Sequence, residues 1–410
     1  MIVPVADRPT LEVADVIRTH GAAFRARYGS LLCAAARRAL RDLAVCRSAA
    51  LGGHVAHCLD CGRDRIAYNS CRNRHCPKCQ ALARARWLAR EAENLLPVEY
   101  HHVVFTLPDA LSDLALANRP VLYDLLFTAA AATLRVVAAN PKRLGAMLGV
   151  LLVLHTWGQT LQHHPHVHGV VTGGGLSCHA DGVLDDAPRW VSCRPGFLLP
   201  VRVLSRVFRG KYLDGLRTAF AQGKLVFPGR LAPLHAPAAF ASLLATLDGK
   251  EWVVYSKPPF GGPEQVLKYL ARYTHRVALS NSRLVSLENG RVTFRYQDYA
   301  AGRKDKTMTL AAAEFLRRFV QHVLPQGFVK VRHYGLLANR CREERLQRSR
   351  RVLLAEAVAA PSPVVGEAGA VAPAARPCCP WCGGERIVRR ALEAAVPTPR
   401  PGVAPSHDTS

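Results

Sequence analysis

The chain has 410 residues, 49% of them hydrophobic, enough for two or three domains and at least one sizeable buried core. Its net charge of +25 points to a polyanionic partner, nucleic acid first, because clustered Lys and Arg displace counterions from phosphates. The longest apolar run, Leu144 to Leu154, is far short of the ~20 residues of a membrane-crossing helix, and Met1 to Asp7 has neither the basic start nor the apolar core of a signal peptide. A membrane or secreted class is thereby excluded and a cytoplasmic one expected. Six of the thirteen cysteines form three C-x-x-C pairs and a seventh, Cys378, adjoins one, the spacing of metal sites in a reducing compartment rather than of a disulfide framework.

Thr10 to about Ser48 reads as helix, with Leu11, Val13, Val16 and Ile17, then Leu31, Leu32, Ala36, Leu40 and Leu43, at helical spacing, interrupted near Gly21 and Gly29. His54 to Gln80 is rich in Cys and His and poor in large apolar residues; Ala81 to Leu96 returns to helix. Glu99 to Leu107 predicts a strand ended by Pro108, and Pro120 to Ala139 a helix entered at a proline. Met147 to Leu161 and His166 to Thr172 read as buried strands, the second closed by Gly173-Gly174-Gly175. Helices follow over Val203 to Gln222 and Pro237 to Leu247, a strand over Trp252 to Ser256, and a helix from Pro263 to about His275. Ser282 to Leu287 and Arg291 to Tyr296 form a hairpin over Glu288-Asn289-Gly290, before a helix over Ala311 to Val323 and a short strand over Phe328 to Arg332. Ala357 to Pro377 has linker composition, and about fifteen residues at the end read as disordered. Strands mixed with helices in no strict alternation predict an α+β fold with an antiparallel sheet. The expected organisation is a helical segment over 1–50, a zinc module over 51–96, a catalytic domain over 97–345 and a flexible tail over 346–410.

Cys58-x2-Cys61 and Cys76-x2-Cys79 are separated by fourteen residues. Each C-x-x-C turn aims two thiolates at one ion, so the four predict a single tetrahedral structural Zn2+ site, with the roles of His54, Cys71 and His75 open. A segment so short of apolar side chains folds on the energy of the metal. Arg72, Arg74, Lys78 and Arg84 crowd this module and predict a DNA-contacting surface. Cys378-Cys379-Pro380-Trp381-Cys382 is half a knuckle with no second pair after it. Pairing across a dimer, borrowing a ligand and no role at all are all open for it.

His163-His164-Pro165-His166-Val167-His168 is the densest chemical feature. On a strand, alternate residues share a face, so His166 and His168 point the same way with Val167 in the core. Two such imidazoles make a partial divalent-metal site, able to act on a phosphate as a Lewis acid. On the strand before, His155, Trp157 and Gln159 share a face. Gln159 is favoured as third ligand with His155 its competitor, the loser being left to orient a ligand from behind. Tyr269 and Tyr273 lie four apart in a helical segment and put two hydroxyls on one face, near Arg272 and Arg276. A tyrosinate can attack a phosphodiester and hold the DNA end covalently, and two permit successive transfers.

Four stretches carry a family resemblance. Leu154 to His168 resembles the HUH motif of rolling-circle transposases of the insertion-sequence-ninety-one family. Cys71 to Gln80 is similar to that family's zinc-binding domain, and Lys268 to Arg276 to its two-tyrosine motif; Arg332 to Leu337 resembles a segment near the end of its catalytic domain. The resemblance implies an HUH endonuclease core, an antiparallel sheet flanked by helices with the His pair on a central strand. It also implies Mg2+ or Mn2+ at His166 and His168, nucleophilic Tyr269 and Tyr273, and single-stranded DNA at the element ends and target as partner. Cleavage would leave a 5′-phosphotyrosine and a free 3′-OH. A plasmid replication initiator or relaxase would share the chemistry. Such proteins usually carry a helicase, and the chain has no P-loop, so no nucleotide cofactor is expected. A non-catalytic zinc-ribbon DNA-binding protein is the remaining alternative.

Overall fold

The computed structural model describes residues 11–257, 265–266, 269, 278–299, 301–359 and 378–395. Its strands are β1 (Gly53–Cys58), β2 (Asp64–Tyr68), β3 (Tyr100–Thr106), β4 (Ala146–Trp157), β5 (His163–Ser177), β6 (Trp190–Ser192), β7 (Val254–Ser256), β8 (Leu284–Glu288), β9 (Arg291–Asp298), β10 (Lys304–Ala311), β11 (Val331–Gly335) and β12 (Ile387–Leu392). The fold is mixed α+β, and its largest sheet is antiparallel in the order β11-β4-β5-β3-β7, with β6 also on β5.

The two faces of this sheet are divided by the period-2 alternation of its strands. Val103 and Phe105 of β3, Val150, Leu152 and Leu154 of β4, and Val167 and Val171 of β5 face a core built by α4 (Ser112–Ala117), α5 (Arg119–Ala139), α6 (Val201–Ala221) and α7 (Pro237–Asp248). Pro120 sits in the first turn of α5, where its missing N–H costs nothing. By length and composition α5 is apolar enough to cross a membrane, which the apolar-run count above did not register. Here Leu122, Tyr123, Leu126 and Phe127 are fully buried, and the helix packs on β4 and α6 as a core element. The opposite face carries Leu151 and Val153 of β4 and Val170 of β5, and gives way to histidines toward one end.

A second core joins the first two helices to residues 278–323. α1 (Val13–Tyr28) and α2 (Ala34–Ala44) contribute Val13, Ile17, Phe24, Leu40 and Leu43, which pack with Val292 and Phe294 of β9 and with Phe315 and Phe319 of the helix Ala312–Gln321. Residues 13–46, within the 1–50 expected as a segment of its own, therefore share a core with the hairpin region. Gly21 lies inside α1 rather than interrupting it, whereas Gly29 caps its C-terminus. Three elements carry no clear sequence signal: β10, which pairs along all of β9, the helix Arg342–Ala359, and the small sheet β12-β1-β2.

Gly173-Gly174-Gly175 does not close β5; the strand runs through it to Ser177. The glycines are needed because other backbones approach. A Cβ on Gly175 would lie 2.1 Å from the Met147 carbonyl oxygen, and one on Gly174 2.6 Å from that of Val191. Gly175→Ala is expected to destabilise the fold by about 2 kcal/mol or more, read as a fall in Tm of roughly 5 °C or more. An unchanged Tm would contradict this close approach.

Buried His322 and half-buried His163 tie neighbouring segments to this frame. The His322 imidazole donates from Nε2 to the Leu161 carbonyl (3.1 Å) and meets the Thr156 hydroxyl at Nδ1 (3.1 Å). His163 meets the hydroxyls of Tyr123 (2.7 Å) and Ser112 (3.0 Å). Burial pushes His322 down to about 4 and His163 down to about 3, so both are neutral at pH 7. The unfolded chain binds these protons first, so the stability is present above pH 6.5 and is lost as pH falls from there toward 4. Thermal unfolding followed against pH should show Tm falling steadily across that window and level above it; His322→Gln should shallow the slope.

Candidate metal centre and tyrosine site

The antiparallel register sets His155 of β4 directly opposite His166 of β5, and His168 one step along the same face. His166 and His168 bring their Nε2 atoms to 3.0 Å of each other, and one nitrogen from each of His155, His166 and His168 lies within 4.8 Å of the others. Ligands at ~2.1 Å from one ion and at right angles stand about 3 Å apart, so the His166–His168 edge fits a shared cation. The donor set suits it as well: burial pushes His166 down to about 4 and His168 well below its ordinary value, leaving neutral imidazoles with lone pairs to offer. The Nδ1–H of His166 donates to the His164 carbonyl (2.8 Å), which turns its Nε2 toward the centre. His155 stacks on Trp157, ring centroids 4.6 Å apart.

Gln159, favoured above as the third ligand, stands outside this trio. β4 carries a register shift between His155 and Trp157 and ends at Trp157, so the alternation that would align 155, 157 and 159 stops short of 159. The Gln159 amide instead donates to the Tyr299 hydroxyl and accepts from the Gln297 N–H, both at 3.5 Å. His155, its competitor, stands within the trio, and Gln159 lines the same cavity.

Tyr269 reaches the same cluster. Its hydroxyl lies 3.0 Å from His168 Nδ1 and hydrogen-bonds His102 Nε2, which is itself 2.9 Å from His168 Nδ1. His102 stands on β3, on the face shared with Val104, the partner of His168. Burial pushes it down to about 3. Sequence reading missed it, although His101-His102 inside a predicted strand was visible; which of the two faces the site depends on the strand's register. Tyr273, Arg272 and Arg276 lie outside the described residues.

A cavity of about 530 Å³ opens over the imidazoles and is lined also by Lys257, Arg283, Arg303, Tyr255 and Tyr299. These cations and aromatics come from the end of β7 and from the β8–β10 sheet, far from the motifs. Of the basic residues singled out near the zinc module, Arg72, Arg74 and Arg84 are exposed and Lys78 is half-buried. Arg74 donates to the carbonyls of Phe328 and Pro325 at 2.6 Å, and Lys78 pairs with Glu12 at 2.5 Å, so these two brace the module against the body of the protein.

The cysteines are divided differently from the single site expected. Cys76 and Cys79 gather with Cys46 and Cys71, whereas Cys58 and Cys61 gather with Cys379 and Cys382. One four-thiol site cannot be made from 58, 61, 76 and 79, because β1 carries its knuckle to the far end of a separate small sheet. Cys46 supplies the missing thiol from just beyond α2. It lies 3.5 Å from the Cys76 sulfur, and the Cys71 and Cys79 sulfurs are 3.8 Å apart. A ZnS4 tetrahedron with ~2.3 Å bonds has edges of about 3.8 Å, so the spacing fits a structural Zn2+. His75 is no part of it: its Nε2 accepts from the Leu324 N–H at 3.3 Å. His54 lies on β1, opposite Ala391 of β12.

Residues 149–345 match the family model described as "Putative transposase", and residues 16–107 the one described as "Transposase zinc-binding domain". The chain is 54% identical over 351 residues to "Putative transposase y4qJ" of Sinorhizobium fredii, covering 86% of each protein. It is 31% identical over 290 residues to the "Transposase for insertion sequence element IS801" of Pseudomonas savastanoi pv. phaseolicola, covering 68% of this chain and 64% of that one. No solved structure matches it. The zinc-binding module, the catalytic region behind it and the relatives together establish that the chain belongs to the insertion-sequence-ninety-one family of transposases.

Proposed function

We propose that this transposase nicks and joins single-stranded DNA by attack of the Tyr269 hydroxyl on a phosphodiester beside a divalent cation held by His155, His166 and His168, on an HUH endonuclease core. One observation carries the reading: the Tyr269 hydroxyl sits 3.0 Å from Nδ1 of His168, whose Nε2 faces the other imidazoles. Three nitrogen donors favour Mn2+ over Mg2+, which prefers oxygen. When bound, the cation supplies Lewis-acid stabilisation of the phosphate oxygens.

The chain's own residues do the rest. With Nε2 of His168 committed to the centre, its proton is on Nδ1 and is donated to the Tyr269 oxygen, stabilising the phenolate. The Tyr269 O–H donates to His102 Nε2. Held near 3, His102 is too weak a base to strip a phenol and serves to aim the hydroxyl. As the tyrosine oxygen bonds to phosphorus it gives up its proton to solvent, the bond from phosphorus to the 3′ oxygen breaks, and that oxygen takes a proton from solvent and leaves as a free 3′-OH, with the 5′ end held as a phosphotyrosine. Tyr273, four residues on, is the second nucleophile for a second transfer, the step that rolling-circle transposition requires. Lys257, Arg283 and Arg303 take the backbone phosphates and Tyr255 and Tyr299 offer faces on which unpaired bases stack, a combination that suits a single strand. Arg72, Arg84, Arg272 and Arg276 extend the contact. Family membership favours this reading over a replication initiator or relaxase.

A labelled single-stranded oligonucleotide carrying the element's end tests it. With Mn2+ or Mg2+ the protein should form a covalent adduct, lost in Tyr269→Phe with Tyr273→Phe and reduced about 100-fold or more in His155→Ala or His168→Ala. Gln159→Ala should stay within a few-fold of the parent. Absence of any adduct would leave a non-catalytic zinc-ribbon DNA-binding protein; loss on Gln159→Ala with His155→Ala active would restore Gln159 as the ligand.

A further inference from the structure

The sheet β12-β1-β2 has no hydrophobic core. Among its strand residues only Cys58 is buried, and none belongs to any of the three apolar clusters of the described residues. Ile66 and Val388 stand 55% and 42% exposed. A three-stranded sheet with two wet faces is not stable on strand pairing alone. Yet β12 pairs with β1 over six consecutive residue pairs, from Gly53 with Leu392 to Cys58 with Ile387. Something other than apolar burial holds the C-terminal strand there.

Two matched turns meet at its end. Cys58-Leu59-Asp60-Cys61-Gly62 and Cys379-Pro380-Trp381-Cys382-Gly383 are both C-x-x-C-G. In each, the glycine N–H returns to the first cysteine's carbonyl, at 2.9 Å in both, and the glycine has positive φ, +68° and +75°. The turns face each other so that Cys58 and Cys382 sulfurs are 3.6 Å apart and Cys61 and Cys379 sulfurs 3.7 Å. All four thiols fall within 4.8 Å of one another, and none is in a disulfide. These are the edges of a ZnS4 tetrahedron, about 3.8 Å. Around it, Arg386 pairs with Asp60 at 2.6 Å, and the Leu59 N–H donates to the Arg386 carbonyl at 2.9 Å.

We infer that Cys58, Cys61, Cys379 and Cys382 bind a second structural Zn2+, distinct from that of Cys46, Cys71, Cys76 and Cys79, and that this ion clasps the C-terminal strand onto the N-terminal zinc module. The chain then carries two zinc ions. The second joins thiols 318 and 324 residues apart and supplies the folding energy that the small sheet lacks. The half-knuckle at the end of the chain is completed within the same molecule, and its partner half is the first C-x-x-C pair.

Metal analysis of the purified full chain should give two zinc per polypeptide. Cys379→Ser with Cys382→Ser should give one, as should Cys58→Ser with Cys61→Ser, while Cys46→Ser with Cys71→Ser should keep the second ion and lose the first. One zinc in the parent, or two in the Cys379/Cys382 variant, overturns the proposal. Alkylation of the unmodified protein followed by peptide mass spectrometry needs no variant to fold. Cys33, which is exposed, should react at once. Cys58, Cys61, Cys379 and Cys382 should react together and only after a chelator removes zinc. Reaction of Cys379 and Cys382 at the rate of Cys33 in zinc-loaded protein overturns it equally. Neither readout depends on DNA cleavage, so failure here leaves the catalytic reading untouched.

Discussion

The pairing of β4 with β5 is the constraint on which the rest of this structure depends. It places His155 across from His166 and Val153 across from His168, and sends Leu152, Leu154 and Val167 to the other face, into the helical core. The side-chain period of two means that a slip of one residue would exchange the faces, burying imidazoles among Leu and Phe and exposing the apolar set. The apolar core thus enforces the register of the polar site. The burial of Leu152 and Val167, worth about 1.5–3 kcal/mol each, is what holds three imidazoles together at the other face.

The same burial sets the chemistry of the cluster. Desolvation disfavours the imidazolium forms, so His102, His166 and His168 are neutral and able to accept a cation or a proton in a hydrogen bond. Tyr269 approaches from a segment that belongs to neither β4 nor β5, and the cations of the cavity come from the β7 end and the β8–β10 sheet. The sheet carries the histidines, and later parts of the chain bring the cations and aromatics of the cavity to its edge.

The N-terminal region is held to the catalytic body by more than one device. α1 and α2 share an apolar core with the helix Ala312–Gln321, Arg74 donates to two carbonyls near Pro325, and His75 accepts from Leu324. The Cys46 cluster lies at this junction, Cys46 and Cys76 being buried in that same core. The Cys58 cluster lies outward of it, on a sheet with no core of its own. The two clusters therefore stand in opposite settings, one set into apolar packing and the other taking its place.

Much of the fold was legible from local pattern. The long strands, α5, α6 and α7, the Asn289-Gly290 hairpin and the side-by-side placement of His166 and His168 follow from periodicity and turn chemistry, which act between near neighbours in the chain. The family could be read from motifs in order. What the sequence alone could not decide is partnership across distance. C-x-x-C spacing identifies a pair of thiolates but says nothing of which pair completes it; that Cys58 and Cys61 meet Cys379 and Cys382, and that Cys76 and Cys79 meet Cys46 and Cys71, is decided by strand pairing and helix packing. Likewise Gln159 and His155 are equally placed on an ideal strand, and only the bulge and end of β4 separate them. His102 enters for the same reason, through the register of β3 on β5. The sequence by itself determined which residues can hold metal or attack phosphorus, because residue chemistry and short periods are local; the tertiary structure decided which of them meet, because register and packing are not.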